Sequence, residues 1–155
     1  FPVLKSYFVS ADEQILLCCA SADPQQPADI YYFLKQADGT WAAPIRIPLS
    51  LDSKGDEITA FLTADKRNLI FASNAPSNGQ HYDLLLCKRL DDSWQKWSMV
   101  QALNSTINTS ANEYGLALSP SGEQLAYISD VRAGQAKIIY ARTPASITDQ
   151  LQHNQ

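Results

Sequence analysis

The stretch ITAFLTADKRNLIFAS, Ile58 to Ser73, recurs as YGLALSPSGEQLAYIS, Tyr114 to Ser129, 56 residues further on. In that shift Leu62, Leu69 and Ser73 meet Leu118, Leu125 and Ser129, Phe71 meets Tyr127, and Thr63 meets Ser119. In the other direction SADEQILL, Ser10 to Leu17, lies 53 residues before TADKRNLI, Thr63 to Ile70. The agreement extends beyond this segment. Asp29 of DIYYF precedes Asp83 of DLLLC by 54, Trp41 precedes Trp94 by 53, and Glu57 precedes Glu113 by 56. Self-similarity at one period marks a chain built from repeated supersecondary units.

Each unit reads as strands. Leu116 and Leu118 alternate with smaller residues, the period of two of a strand facing a core. Polar turns follow, DKRN at Asp65 to Asn68 and PSGE at Pro120 to Glu123, the second with Pro and Gly where turn geometry wants them. Continuous apolar runs come next, ILLCC at Ile15 to Cys19 and LLLC at Leu84 to Cys87. Such runs suit strands buried on both faces. Several short strands repeated every 50 or so residues is the plan of a β-propeller blade. The expected fold is therefore all-β, about three blades, each an antiparallel four-stranded sheet. The units fall near 5–54, 55–109 and 110–145, with 146–155 a polar tail. An immunoglobulin-like sandwich would leave the repeat unexplained.

At LSPSGEQLAYISD (Leu118 to Asp130), ADIYYFLKQADGTWAAPIRI (Ala28 to Ile47) and INTSANEYG (Ile107 to Gly115) the chain resembles the TolB-type propeller repeat. The forms attached to OmpA-type peptidoglycan-binding domains are the most similar, through Gly-x-Trp-x-x-Pro and Asn-Thr-x-x-x-Glu. The resemblance spans nearly the whole chain. It implies a periplasmic or cell-envelope location, a structural role for the repeated Asp, and no shared binding residue. Four departures stand out. The first turn has no Gly, Cys18-Cys19 replace aromatic and small residues, Lys137 stands where Asp is expected, and the third unit lacks a Trp segment.

Closed propellers typically have four to eight blades. Three would leave two apolar faces bare, which monomers avoid. Two readings stay open: a part of a longer propeller, or half of a six-bladed ring completed by a homodimer. The start at Phe1 rather than Met favours the first and leads to the expectation of a segment upstream.

Composition narrows the function classes. At 45% apolar and 18% charged residues, the chain of 155 has a globular composition. A net charge of −4 without a basic stripe argues against nucleic acid. No apolar run reaches the roughly 18 residues of a membrane span. Cys18, Cys19 and Cys87 have no zinc spacing and read as small buried hydrophobes, with a Cys18–Cys87 bridge left open.

No segment reads as an enzyme active site, a cofactor site or a metal site. The two histidines, His81 and His153, lie in a loop and in the tail, and no GxSxG elbow is present. Asp56-Glu57 are neighbours on a strand and point apart; Asp91-Asp92 sit in a turn, with a calcium ligand the alternative. Trp41 and Trp94 read as equivalent packing residues, and Trp97 as having no counterpart. Asn104 and Asn108 open glycosylation triplets in a loop placed on the surface. The candidate interaction surface is His81, Tyr82 and Trp97. The first functional expectation is a non-enzymatic binding propeller whose partner is a protein or an envelope polymer. The alternatives are the substrate filter of a prolyl-oligopeptidase-like peptidase and the periplasmic sensor of a membrane-bound regulator.

Overall fold

The computed structural model describes residues 1–51, 55–130 and 135–153. Among the described residues eleven strands form three antiparallel sheets, each a consecutive piece of chain. The first holds β1 (Val3–Val9), β2 (Ile15–Ser21), β3 (Asp29–Leu34) and β4 (Ile45–Arg46) in that order. The second holds β5 (Glu57–Leu62), β6 (Asn68–Ser73), β7 (Asp83–Lys88) and β8 (Gln101–Ala102). The third holds β9 (Asn112–Leu118), β10 (Gln124–Asp130) and β11 (Ala136–Arg142). It has three strands where four were expected. The polar tail placed from 146 on is also corrected, because a helix α1 (Ala145–His153) forms there. Ile147 drives that change: it is completely buried against the second and third sheets.

The repeat in the sequence is a repeat in hydrogen bonds. In each β1–β2-type turn a hydroxyl accepts the amide that restarts the chain: Ile15 N to Ser10 Oγ, Asn68 N to Thr63 Oγ1 and Gln124 N to Ser119 Oγ, at 3.0, 3.0 and 3.1 Å. The turn needs a left-handed residue. Gly122 takes φ 75°, while Glu13 and Lys66 adopt 56° and 58° without a glycine. This is how the first unit dispenses with Gly, at some backbone cost.

Two hydrophobic clusters lie between the sheets. Ile15, Leu17, Ile30, Tyr32 and Ile47 face Leu62, Leu69, Phe71, Leu85 and Trp94 across the first junction. Ile70, Leu84, Leu86 and Leu103 face Leu116, Leu125, Tyr127 and Ile147 across the second. The middle strands β6 and β7 are thus buried on both faces, as their continuous apolar runs require. All three cysteines are buried and free, so no Cys18–Cys87 bridge forms; burial pushes the Cys19 thiol up to about 11.

The first strands β1, β5 and β9 lie side by side and are stitched by a hydroxyl ladder. Thr59 N donates to Ser6 Oγ, and Gly115 N donates to Thr59 Oγ1, both at 2.9 Å. Each step is one repeat long. Both amides sit at bulges where φ is positive, 50° at Thr59 and 66° at Gly115. The bulge turns the amide out of its own sheet and toward the neighbouring one.

Candidate functional site

The polar groups concentrate where the β2–β3 and β6–β7 loops meet the starts of β1 and β5. There Asp56 and Glu57 clasp the first sheet. Ala28 N donates to Asp56 Oδ1 at 2.7 Å, and Glu57 N donates to the Ala28 carbonyl at 2.9 Å. Asn74 Oδ1 in turn accepts from Asp56 N at 2.8 Å. The clasp repeats at the second junction, where Tyr82 N donates to Asn112 Oδ1 at 3.0 Å and Glu113 N to the Tyr82 carbonyl at 2.8 Å. Gly55 makes the first clasp fit, since a Cβ there would come within 2.5 Å of the Ala75 amide nitrogen.

Glu57 and Glu113 are buried, 4% and 0% exposed. Each accepts a hydrogen bond at 3.0 Å from the serine 16 residues on, Ser73 or Ser129. Burial pushes the Glu57 carboxyl up to about 7, opposed by the Ser73 hydroxyl and raised further by Asp29. Glu113 also takes Thr109 N at 3.0 Å and Thr109 Oγ1 at 2.7 Å. In the repeat Ser53 corresponds to Thr109, and it lies outside the described residues. Neither carboxylate opens to solvent, so both are structural anchors.

Above the first clasp is a cleft of about 560 Å³, lined by Val3, Lys5, Asp56, the Pro24–Pro27 loop and residues 74, 75, 78 and 79. A second cleft of about 390 Å³ shares Gln26 and Pro27 and reaches Asp23, Asp29 and Arg46. The Arg46 guanidinium pairs with Asp29 at 2.5 Å. The Pro24-Gln25-Gln26-Pro27 loop is therefore a wall with polar space on both sides. The composition of these two loops was visible in the sequence. Their convergence was not, because it depends on how two sheets pack.

The three residues of the candidate interaction surface do not come together. His81 precedes β7, with Nε2 3.8 Å from the Asp83 carboxylate. Tyr82 beside it is half-buried against the second junction. Trp97 bridges to Arg89, past the other end of β7. Six strand residues separate the two ends, roughly 20 Å.

The tryptophan register also needs correction. Lys35 bridges Trp41 as Arg89 bridges Trp97, so Trp97 is the structural counterpart of Trp41. Trp94 belongs to a longer connection in the second sheet and takes a positive φ of 62°. It reaches back to stack on Tyr32 of the first sheet at 5.4 Å, while Gln95 Nε2 donates to the Tyr32 hydroxyl at 3.0 Å. Trp97 packs behind it, its Nε1 donating to the Trp94 carbonyl at 2.9 Å. Sequence spacing missed this because the connection between the third and fourth strands differs in length between units.

Asn108 is not a free surface side chain. Its Oδ1 accepts from Leu84 N at 2.8 Å and its Nδ2 donates to the Leu84 and Leu103 carbonyls at 2.9 Å. A glycan on that amide would break all three bonds. Asp91 caps its own turn through Ser93, which holds its carboxyl below the usual range. Among the described residues no three His, Cys, Asp or Glu side chains gather to hold a metal ion. The side chain of His153 lies outside the described residues.

The fold has known counterparts. The chain is similar to a puromycin-hydrolysing peptidase from Mycobacterium tuberculosis, with a TM-score of 0.58 and 17% identity over 89% of this chain and 20% of that one. The chain is a run of β-propeller blades. A protein described as TolB, from Agrobacterium tumefaciens, is also similar, with a TM-score of 0.49 and 12% identity over 88% of this chain and 60% of that one. The propeller segment thus spans a fifth and three-fifths of these two proteins. No family model and no curated protein matches its sequence. No helix among the described residues is long and apolar enough to cross a membrane.

Proposed function

We propose that these blades form a non-enzymatic binding module of the bacterial cell envelope. Its ligand, an extended peptide or a polar envelope polymer, lies in the cleft above the first junction. The cleft supports this reading through its size and lining. About 560 Å³ is within the range of ligand sites. Its walls carry the carboxamides of Gln25, Gln26 and Asn78 and the Lys5 ammonium. Carboxamides donate and accept at once, which suits the amides and hydroxyls of peptides and glycans. Pro24 and Pro27 hold the loop in shape and lower the ordering cost of binding.

Amide chemical shifts of the ¹⁵N-labelled protein test the reading, with soluble muropeptides as one probe and unstructured peptides as another. Shifts are expected in residues 24–27 and 74–79. Asn78→Gly keeps the left-handed backbone at that position and removes the side chain; with Lys5→Glu it should weaken binding. An undisturbed spectrum with both probes refutes the cleft. Cell fractionation should place the protein in the periplasm; a solely cytoplasmic protein refutes the envelope assignment.

The likeness to a peptidase favours a second reading, in which the blades screen substrate for a hydrolase. A hydrolase region in the same reading frame would support it. A peptidoglycan-binding region there would eliminate it.

A further inference from the structure

The two junctions show which face of a blade receives which. Each blade turns one face, on which Ile30 and Tyr32 or Leu84 and Leu86 lie, toward the next blade. It turns the other, with Leu69, Phe71, Leu85 and Cys87 in the second blade, toward the preceding one. Strand register carries both sets to the outer blades. On β11, Ile138 and Tyr140 pair with Ile128 and Ala126 as Leu84 and Leu86 pair with Ala72 and Ile70. They are 77% and 72% exposed. On the first blade the positions of Leu62, Leu69, Phe71, Leu85 and Cys87 are held by Val9, Leu16, Cys18, Tyr31 and Phe33. The same face includes Tyr7, 72% exposed, and Trp41.

We propose that the open face of the third blade docks on the open face of the first blade of a second copy, head to tail. Two such contacts close a six-bladed ring. The ends match as interior neighbours do. Tyr140 has the register position of Tyr32, the residue that Trp94 covers at the first junction. Trp41, the counterpart of Trp97, brings an indole to the same side of the first blade, under the Lys35 ammonium.

Two observations suit a second copy as the occupant. Among the described residues β11 pairs with no fourth strand, which leaves the outer edge of the third sheet open. Instead α1 turns back onto the second blade, where Gln150 Nε2 donates to the Ala102 carbonyl at 3.2 Å and Lys88 Nζ to the Gln152 carbonyl at 3.3 Å. The area is also adequate. Three or four strands about 4.8 Å apart and six residues long offer roughly 350 Å² per face. Four such faces give about 1,400 Å², within the range of stable complexes. These new junctions are drier than the interior ones, since Val3 and Leu4 stand where Asp56 and Glu57 clasp.

Sedimentation equilibrium of the 155-residue chain tests the proposal. The expected mass is twice 17.1 kDa. Tyr140→Asp and Trp41→Asp alter exposed side chains, so each should keep the wild-type circular dichroism while weakening the dimer about 100-fold. Mixing the two variants should restore part of the dimer, because a mixed ring keeps one unaltered junction. Back-to-back pairing through one kind of face gives a different result that overturns the proposal, because only one of the two substitutions then weakens the dimer. A monomer at all concentrations, a dimer indifferent to both substitutions, or no rescue on mixing would overturn the proposal. A monomer would leave the open faces to further blades of a longer chain.

Discussion

Glu57 and Glu113 occupy the same place in consecutive blades, yet their surroundings differ. Both are buried and both accept from a serine on the neighbouring strand at 3.0 Å. Glu113 also accepts from the Thr109 amide and hydroxyl, while Ser53, in register with Thr109 at the Glu57 site, lies outside the described residues. Glu57 sits among Asp29, Arg46 and Asp56, and burial leaves it titrating near neutrality. A repeat copies the position of a carboxylate, and at Glu57 burial, with Asp29 beside it, sets how readily that carboxyl ionises. The first blade has gone further, placing Leu4 opposite Ala20 where the others place Glu opposite Ser.

The largest effect should come from Glu113→Ala. It leaves the Thr109 amide and the Thr109 and Ser129 hydroxyls without their acceptor at a part-buried site, costing about 2 kcal/mol by denaturant unfolding. An effect under about 1 kcal/mol would mean that water replaces the carboxylate.

Glu57→Gln should act in the opposite direction. The folded protein holds a proton on Glu57 up to about pH 7, whereas the unfolded chain releases it near 4.5. Between those values the folded state binds more protons, so wild-type stability falls as pH rises, and the loss is complete above the folded value. Glutamine keeps an acceptor for Ser73 without the charge. The variant should therefore be more stable than wild type by about 2 kcal/mol at pH 8, with that part of the pH slope removed. Equal melting temperatures at pH 5 and pH 8 for wild type and variant alike would sink this account.

Thr59→Val tests the ladder that joins the blades. It leaves Gly115 N without its acceptor at the second junction, for about 1 kcal/mol, and leaves the Ser6 step intact. Hydrogen exchange should rise at Gly115 and not at Thr59. The smallest effect belongs to Asp12→Asn, which removes the inter-blade pair with Lys66. That partner, with Ser10, holds the Asp12 carboxyl down to about 2. Both groups meet solvent, so the change in melting temperature should be slight and vanish in about 1 M salt.

Much of the fold was legible because a repeat exposes its own rules. The hydroxyl of each turn, the apolar runs of β2, β6 and β7, and the pairing of Glu with Ser all recur at one period in the sequence. Where the period breaks, the reading broke too. Trp41 and Trp94 align in sequence but not in the sheet, because two strands can be joined by connections of different length without any change of register. The tail looked polar because α1 buries mainly one strong anchor, Ile147, and a single apolar residue has no periodicity to detect. The cleft was hidden for a third reason. Its loops are 50 residues apart, and nothing local says that they meet.

The sequence by itself determined most of the strands, the turns between them, their grouping into three units and the apolar runs at the centre of the first two units. All of these follow from local spacing and from comparison of one unit with the next. Only the tertiary structure decided which tryptophan stacks on Tyr32, how the charges of Asp29 and Arg46 surround Glu57, and where the two loops form a cleft. Those outcomes depend on distances between sheets, which side-chain volume and connection length set jointly, and no single unit contains that information.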